Sequence, residues 1–206
     1  MSSAAAVHVV QDVEPAATLL HPLRLRLLAE LAEPDSAAGL ARRLGQPRQQ
    51  LNYHLRQLEE QGLVEAVGER KKRGCTERLL QAVARSYLIG PSTLGALAAD
   101  PASVPDQLSS AYLVAVAAQV IREVAALRPN RGTGARRTPT LTLQADIRFA
   151  SPAARNRFAR DLTRAVARLA AKYHDEQAPA GRRFRVVAGA YPAPSTARPT
   201  TDREDS

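Results

Sequence analysis

The sequence predicts a mainly α-helical fold with small β elements (α+β), and three observations lead to this class. Apolar residues make up 45% of the chain but aromatic residues only 4%, so the core must consist mainly of Leu, Val and Ala, which favours helix packing. Leucines recur at helical spacings through the N-terminal third. Two later segments alternate apolar and polar residues, which is typical of half-buried strands.

The first helix is predicted to follow an irregular N-terminus. Residues 1–15 are interpreted as a mobile N-terminal arm, the first of five predicted regions. Helical periodicity begins at about Thr18 and continues to Leu31. Pro22 lies where a helix tolerates proline, in the first turn.

Two short helices joined by a tight corner are predicted next. Asp35 or Ser36 can cap a helix that ends at about Leu44, and Gly45 suits the position just past a helix end. A second helix follows over residues 47–61. This arrangement predicts a helix-turn-helix.

The helix over residues 47–61 has two distinct faces. Its core face is predicted to contain Leu51, Leu55 and Leu58. Side chains with planar or forked hydrogen-bond donors lie outside that face, and they are Arg48, Gln49, Gln50, Asn52, Tyr53 and Arg56. Gln and Asn can pair with adenine in the major groove, and Arg with guanine. An ordinary solvated face is the simpler explanation, but the corner before the helix and the hairpin after it favour base recognition.

A β-hairpin is predicted after this helix, with strands over residues 63–67 and 75–80 and a basic loop over residues 68–74. A hairpin in this place is a wing. Its four consecutive cations suit phosphate or minor-groove contacts, which add affinity rather than sequence specificity. These cations are Arg70, Lys71, Lys72 and Arg73. A further helix is predicted over about residues 77–89, so its boundary with the return strand stays open.

The regions after the N-terminal arm are predicted as a domain over residues 16–90, a connector over 91–104, a dimerisation and possible effector region over 105–191, and a disordered tail over 192–206.

A long helix is predicted over residues 105–128, and it is apolar around most of its circumference. This helix is therefore expected to be buried on more than one side, for example in a dimer seam. The predicted seam residues are Tyr112, Val116, Val120 and Val124.

A strand–helix–strand unit is predicted at the C-terminus. Residues 140–149 and 183–191 are interpreted as its strands, and Ser151 and Pro152 open the helix between them, which ends at about His174. So small a unit buries little by itself. It is therefore expected to pack on the long helix or on a partner subunit, and either to bind a small-molecule effector or to stabilise a dimer.

Composition limits the classes of function. The single cysteine, Cys75, excludes an internal disulfide and a multi-cysteine zinc site, and it suits a reducing cytoplasm. No signal-peptide pattern or apolar run near the ~20 residues of a membrane span is found, so a cytoplasmic protein without membrane contact is expected. The net charge of +9 suits a polyanionic partner. No grouping with metal-ligand, cofactor or catalytic spacing occurs, so no metal, no cofactor and no enzyme activity are expected.

Residues 21–80 resemble the winged-helix domain of the ArsR-type family of bacterial transcriptional regulators. The resemblance rests on the segments His-Pro-Leu-Arg from His21, Leu-Ala-Arg-Arg-Leu-Gly from Leu40 and His-Leu-Arg-Gln-Leu-Glu-Glu-Gln-Gly-Leu-Val from His54. It implies a homodimer on an inverted-repeat operator, with recognition residues Gln49, Asn52 and Tyr53 and a structural role for His54. The chain lacks the cysteine pair and the His/Asp clusters of the metal-sensing members, so metal sensing is not expected.

These observations predict a cytoplasmic, homodimeric winged helix-turn-helix regulator of transcription that binds double-stranded DNA, with repression as its expected role. The alternative is a winged-helix protein-interaction module that docks an acidic partner. Steep salt dependence together with a sequence preference would favour DNA. An enzyme built on the C-terminal unit is the least supported class.

Overall fold

The computed structural model describes residues 4–72, 75–127 and 139–193, and it divides into two units, Met1–Arg136 and Arg137–Ser206. The first unit contains β1 (Ala5–Val10), α1 (Val13–Leu19), α2 (Pro22–Glu30), α3 (Ala37–Leu44), α4 (Arg48–Glu60), β2 (Val64–Lys72), β3 (Cys75–Ala82), β4 (Ala84–Ile89) and α5 (Ser110–Ala126). Two 3-10 helices, Pro91–Leu97 and Pro101–Ser103, lie between β4 and α5. The second unit contains α6 (Pro152–Tyr173). This mixture confirms the predicted α+β class.

The corner between α3 and α4 is determined by local side-chain and backbone chemistry. The Oγ of Ser36 accepts the N–H of Gly39 at 3.0 Å, so Ser36 rather than Asp35 caps α3. Gly45 ends α3 with a φ of 62°, and Gly62 follows α4 with a φ of 65°. Residues with a Cβ are strained in this left-handed region, so glycine suits both positions.

One leucine-rich core joins the helices to the base of the wing. Its largest fully buried side chains are Leu27, Leu31, Leu40, Leu51, Leu58 and Leu63. They come from α2, α3, α4 and the segments that follow α2 and α4, so none of these helices can move independently. Burying each such side chain contributes about 1.5–3 kcal/mol.

The wing is longer than predicted. β2 and β3 form an antiparallel pair whose register shifts between Ala66 and Gly68, which marks a β-bulge. The predicted loop over residues 68–74 is therefore wrong for residues 68–72, which lie on β2. The basic segment has no alternation of apolar and polar residues, so its sequence does not predict a strand. Its pairing with β3 across the hairpin nevertheless extends β2 through it.

The N-terminal arm is also different from the prediction. Residues 5–10 are not a mobile arm but form β1, which pairs in parallel with β4, so that Val9 lies opposite Leu88. The predicted helix over residues 77–89 is wrong, because β3 and β4 occupy that segment. Strand pairing between distant segments overrides the local helical pattern here.

The connector and α5 form one packed structure. α5 begins at Ser110, later than predicted, and the Oγ of Ser109 accepts the N–H of Tyr112 at 3.1 Å. Arg122 donates from Nη1 to the carbonyl of Ala99 at 2.8 Å, which ties α5 to the segment between the two 3-10 helices. Residues 91–104 are therefore more than a linker.

The second unit has a helix but no strands in its described part. The Oγ of Ser151 accepts the N–H of Ala154 at 3.1 Å, which confirms the predicted start of α6. The predicted strands over residues 140–149 and 183–191 are wrong, since no described backbone hydrogen bond joins these segments. The predicted tail lies outside the described residues from position 194 onward.

Candidate nucleic-acid interface

The two faces of α4 are separated as predicted. Leu51, Leu55 and Leu58 are buried in the core. The candidate recognition side chains are all exposed, and they are Arg48, Gln49, Gln50, Asn52, Tyr53 and Arg56. Among the described residues, no hydrogen bond or ion pair uses the side chains of Gln49, Asn52 or Arg56. Their donors and acceptors are therefore available to a partner.

The charges along α4 are not those that would stabilise an isolated helix. Arg48 lies in the first turn and Glu59 and Glu60 in the last, whereas the helix dipole favours the reverse order. Pro47 precedes the helix without a side-chain cap, so no side chain occupies the first-turn N–H groups. Positive charge and free donors thus lie together at the N-terminal end, the end that reaches base edges in helix-turn-helix docking.

An open groove of about 610 Å³ separates α4 from the wing. On one side it is lined by Arg48, Asn52, Tyr53 and Arg56 of α4, and on the other by residues of β3 that include Thr76. The recognition helix and the wing therefore border one continuous surface. Glu59, Glu77 and Arg78 also line this groove, and Arg78 is paired there with Glu59.

The predicted wing cations do not share one environment. Arg70 Nη2 lies 2.9 Å from Glu77 Oε2 and 3.4 Å from Asp35 Oδ1, and this hydrogen bond to Glu77 raises the pKa of Arg70. Lys71 is exposed. The side chain of Lys72 and the whole of Arg73 lie outside the described residues. Arg70 thus joins the wing to the rest of the domain instead of standing free.

Ion pairs hold the wing against the helices. Glu77 also accepts a hydrogen bond from Ser36 Oγ at 2.8 Å, so the wing contacts the residue that caps α3. Arg78 of β3 forms two hydrogen bonds with the carboxylate of Glu59 on α4, one of them at 2.9 Å. The wing is therefore connected to both helices of the helix-turn-helix, which determines its orientation.

Sequence reasoning missed these connecting residues. Arg70 and Glu77 face each other across the hairpin, so their pairing could be found once the register was known. The pair of Glu59 and Arg78 leaves no comparable signal, because it joins a helix and a strand that only the fold brings together.

His54 forms the buried edge of the recognition helix. Its side chain is only 7% exposed, and its ring lies 4.6 Å from that of His21 and 5.2 Å from that of Tyr53, measured between centroids. Burial lowers the pKa of His54, and the nearby His21 and Arg24 lower it further. These contacts fit the predicted packing role, and they support the ring of Tyr53 from behind.

The predicted seam residues lie on α5. Tyr112, Val116 and Val120 are half-buried and Val124 is 47% exposed, while the buried residues of this helix are Ala115 and Ala118. Part of the apolar circumference of α5 is thus covered within the unit and part faces outward. No helix among the described residues has the length and apolarity needed to cross a membrane.

Residues 19–67 match the family model of a helix-turn-helix domain. Similar solved structures include the transcriptional regulator HlyU from Vibrio vulnificus CMCP6, with 24% sequence identity and a TM-score of 0.28. This alignment covers 34% of this chain and 69% of that chain. Another is a fragment, 1–100, of a possible transcriptional regulatory protein from Mycobacterium bovis, 16% identical, covering 53% of this chain and 88% of that chain with a TM-score of 0.30. No curated protein matches the chain.

The family match and the hairpin of β2 and β3 define a winged helix-turn-helix domain, as the ArsR-type resemblance predicted. Domains of this kind are characteristic of DNA-binding transcriptional regulators, and the match supports that class of function for the helix-turn-helix part of this chain. The match ends at residue 67, so most of the wing and the whole second unit lie beyond it.

Proposed function

We propose that this protein is a homodimeric repressor that binds an inverted-repeat operator in double-stranded DNA. The observation that carries the proposal is the exposed polar face of α4, which borders a groove shared with the wing and on which Gln49, Asn52 and Arg56 have no described hydrogen-bond or ion-pair partner. In this role α4 enters the major groove, and the wing lies on the flanking backbone. Repression follows because an occupied operator excludes other proteins.

The side chains of α4 divide by chemistry. Gln49, Gln50 and Asn52 contact base edges, where their amides can pair with adenine, and Tyr53 contacts bases or sugars from the same face. Arg48 and Arg56 contact guanine or phosphate. Specificity therefore depends on the amides of α4.

The wing supplies affinity. Lys71, Lys72 and Arg73 contact phosphates, whereas Arg70 orients the wing through Glu77 and Asp35. This assignment revises the original prediction, in which all four cations contacted DNA.

The homodimer uses α5, where Tyr112, Val116, Val120 and Val124 meet their counterparts. Two-fold symmetry then requires half-sites about 34–36 Å apart or a multiple of that distance. The protein acts in the cytoplasm, without a cofactor or catalytic activity. The region over residues 105–191 is where a small-molecule effector would act.

Selection of bound sequences from a random DNA pool tests the proposal. Wild type and the control Arg26→Ala, an exposed residue of α2 that does not line the groove, should enrich the same two-fold-symmetric motif. The double variant Gln49→Ala/Tyr53→Ala should lose it. If wild type enriches no motif but captures an acidic protein whose binding survives the double variant, the chain is a protein-interaction module instead.

A further inference from the structure

We propose that α6 is a second DNA-contacting element, on which four arginines bind the phosphate backbone independently of the base sequence. These residues, Arg157, Arg160, Arg164 and Arg168, are called the arginine stripe. The proposal rests on the proposed function, in which double-stranded DNA is the partner. It extends contact with that partner to a unit that lies beyond the helix-turn-helix match.

The arginine stripe follows one side of a long helix. Its members are three or four residues apart, and because a helix turns by about 100° per residue, they fall within an arc of about 80°. From its first to its last member the stripe is about 16 Å long. All four side chains are exposed. One side of α6 therefore presents a straight row of guanidinium groups to solvent.

Little on α6 neutralises these charges. Among the described residues, no hydrogen bond or ion pair uses the side chains of Arg157, Arg160 or Arg168. Arg164 Nη1 lies 3.9 Å from Oδ1 of Asp161, the one acidic residue of α6, and these side chains are 79% and 74% exposed. So exposed an ion pair is weak. The stripe as a whole therefore remains strongly positive.

An ordinary solvated helix face is the simpler explanation, but the charges of α6 do not follow its usual pattern. Exposed helix faces commonly mix both signs, with acidic and basic residues four positions apart. In the arginine stripe, successive members are neighbours on the helix surface, and like charges at this spacing repel each other. A polyanion along the stripe would remove that repulsion, so its binding would stabilise α6.

The charge of the surrounding unit has the same sign. Residues 139–193 contain ten Lys/Arg and four Asp/Glu, a net charge of +6 out of +9 for the whole chain. The helix-turn-helix match ends far before this region. The part of the chain that contributes most to a polyanion-binding charge therefore lies outside the recognition domain.

The chemistry of the stripe favours phosphate groups as its ligands. Every member is arginine, whose forked guanidinium can donate two parallel hydrogen bonds to one phosphate. Duplex DNA carries about one negative charge per 1.7 Å of its axis, so a row of about 16 Å can face several phosphates. Contacts of this kind increase affinity and carry no sequence information.

An anionic membrane surface is another extended polyanion, and the layout of α6 argues against it. Leu162 and Val166 lie on the side of the helix opposite to the arginine stripe. A helix in the membrane interface buries its apolar side, so the stripe would point away from the headgroups. One of the flanks that would then meet the headgroups contains Thr163 and Ala170, which carry no charge. DNA is therefore the partner that the stripe fits.

Binding of the full-length chain to a random-sequence duplex, measured by fluorescence anisotropy at several salt concentrations, tests the proposal. Arg160→Gln/Arg168→Gln should lower the slope of log affinity against log salt by about 0.9 for each lost phosphate contact, or about 1.8 in all. The matched control Arg155→Gln/Arg182→Gln removes the same charge from exposed positions outside the stripe and should lower the slope by less than about 0.9. Equal changes in the two variants would show that net charge alone matters and would overturn the proposal.

A conservative variant separates loss of charge from damage to the helix. Arg160→Lys/Arg168→Lys keeps both charges and should keep the wild-type slope, although lysine lacks the fork. Circular dichroism should show wild-type helicity for the Gln and Lys variants, because both residues are good helix formers. A Lys variant whose slope falls as far as that of the Gln variant would contradict a role for the charges.

The two proposals fail in different ways. If Arg160→Gln/Arg168→Gln keeps the wild-type slope while wild type selects a two-fold motif, the contact by α6 is wrong and the regulator stands. If wild type selects no motif but the slope falls as expected, the contact by α6 stands and sequence-specific regulation fails. Sedimentation with vesicles of anionic phospholipid tests the other polyanion. Vesicle binding that the Gln variant loses, together with an unchanged slope on DNA, would overturn the proposal in favour of a membrane surface.

Discussion

Three consecutive residues of α4 lie in two different environments. Asn52 and Tyr53 are exposed and line the groove, whereas His54 is buried against the helices. Each step along a helix turns the side chain by about 100°, so the functional face changes to core within two residues. A substitution in this segment therefore changes either the exposed face of α4 or the buried core, depending on its position.

Stability should depend on pH through His54. The pKa of His54 is lowered in the folded protein, so the unfolded chain binds more protons and the free energy of unfolding decreases as the pH falls below about 6.5. Urea denaturation at pH 7.5 and 5.5 should show this loss in wild type and a smaller loss in His54→Phe. The control His174→Phe changes an exposed histidine and should behave as wild type. An unchanged pH dependence in His54→Phe would contradict this explanation.

At the scale of the element, the wing shows how strand geometry separates neighbouring cations. Arg70 and Lys71 are adjacent on β2, so their side chains point to opposite faces of the hairpin. Arg70 faces the carboxylates of Asp35 and Glu77, while Lys71 is exposed. This run of like charges therefore contains one residue held in ion pairs and at least one that is exposed to solvent.

Substitution of these two cations should have different effects. Lys71→Ala should lower the slope of log affinity against log salt by about 0.9 on a random-sequence duplex, with little change in thermal stability. Arg70→Ala should lower the melting temperature, and Arg70→Lys should restore it only in part because lysine lacks the forked guanidinium. Fluorescence anisotropy at several salt concentrations and thermal denaturation are the measurements. Equal effects of Arg70→Ala and Lys71→Ala on both would contradict the division of roles.

At the scale of the whole molecule, β1 belongs to the domain that follows it. Val10 is only 2% exposed within the leucine-rich core, although it lies near the chain start, and β1 pairs with β4 beyond the wing. The N-terminus and the end of the winged domain therefore stabilise each other. α5 groups with this unit, whereas the prediction placed it with the C-terminal unit in residues 105–191.

Removing apolar volume from β1 should show whether this strand is part of the cooperative fold. Val10→Ala should reduce the free energy of unfolding by about 2 kcal/mol, because it removes buried methyl groups. Val7→Ala, on the same strand but 40% exposed, should change it by less than about 0.5 kcal/mol. Chemical denaturation of both variants checks this. Identical unfolding curves would mean that the segment behaves as the mobile arm predicted from the sequence.

The sequence by itself determined those features that depend on contacts within a few residues. Ser36 and Ser151 cap helices through their own first turns, Gly45 and Gly62 occupy left-handed positions, and the leucines of α4 define its buried face. The candidate recognition face consists of the α4 residues that lie outside this buried face. The spacing of the leucines therefore predicts both faces.

Only the tertiary structure decided the features that need a distant partner. A strand requires a neighbour to satisfy its backbone, so β1 became visible only with β4. The ion pair of Glu59 with Arg78 likewise joins side chains whose proximity depends on how α4 packs against the wing. Local patterns cannot specify such contacts, because their energy is gained only after the chain has brought the two segments together.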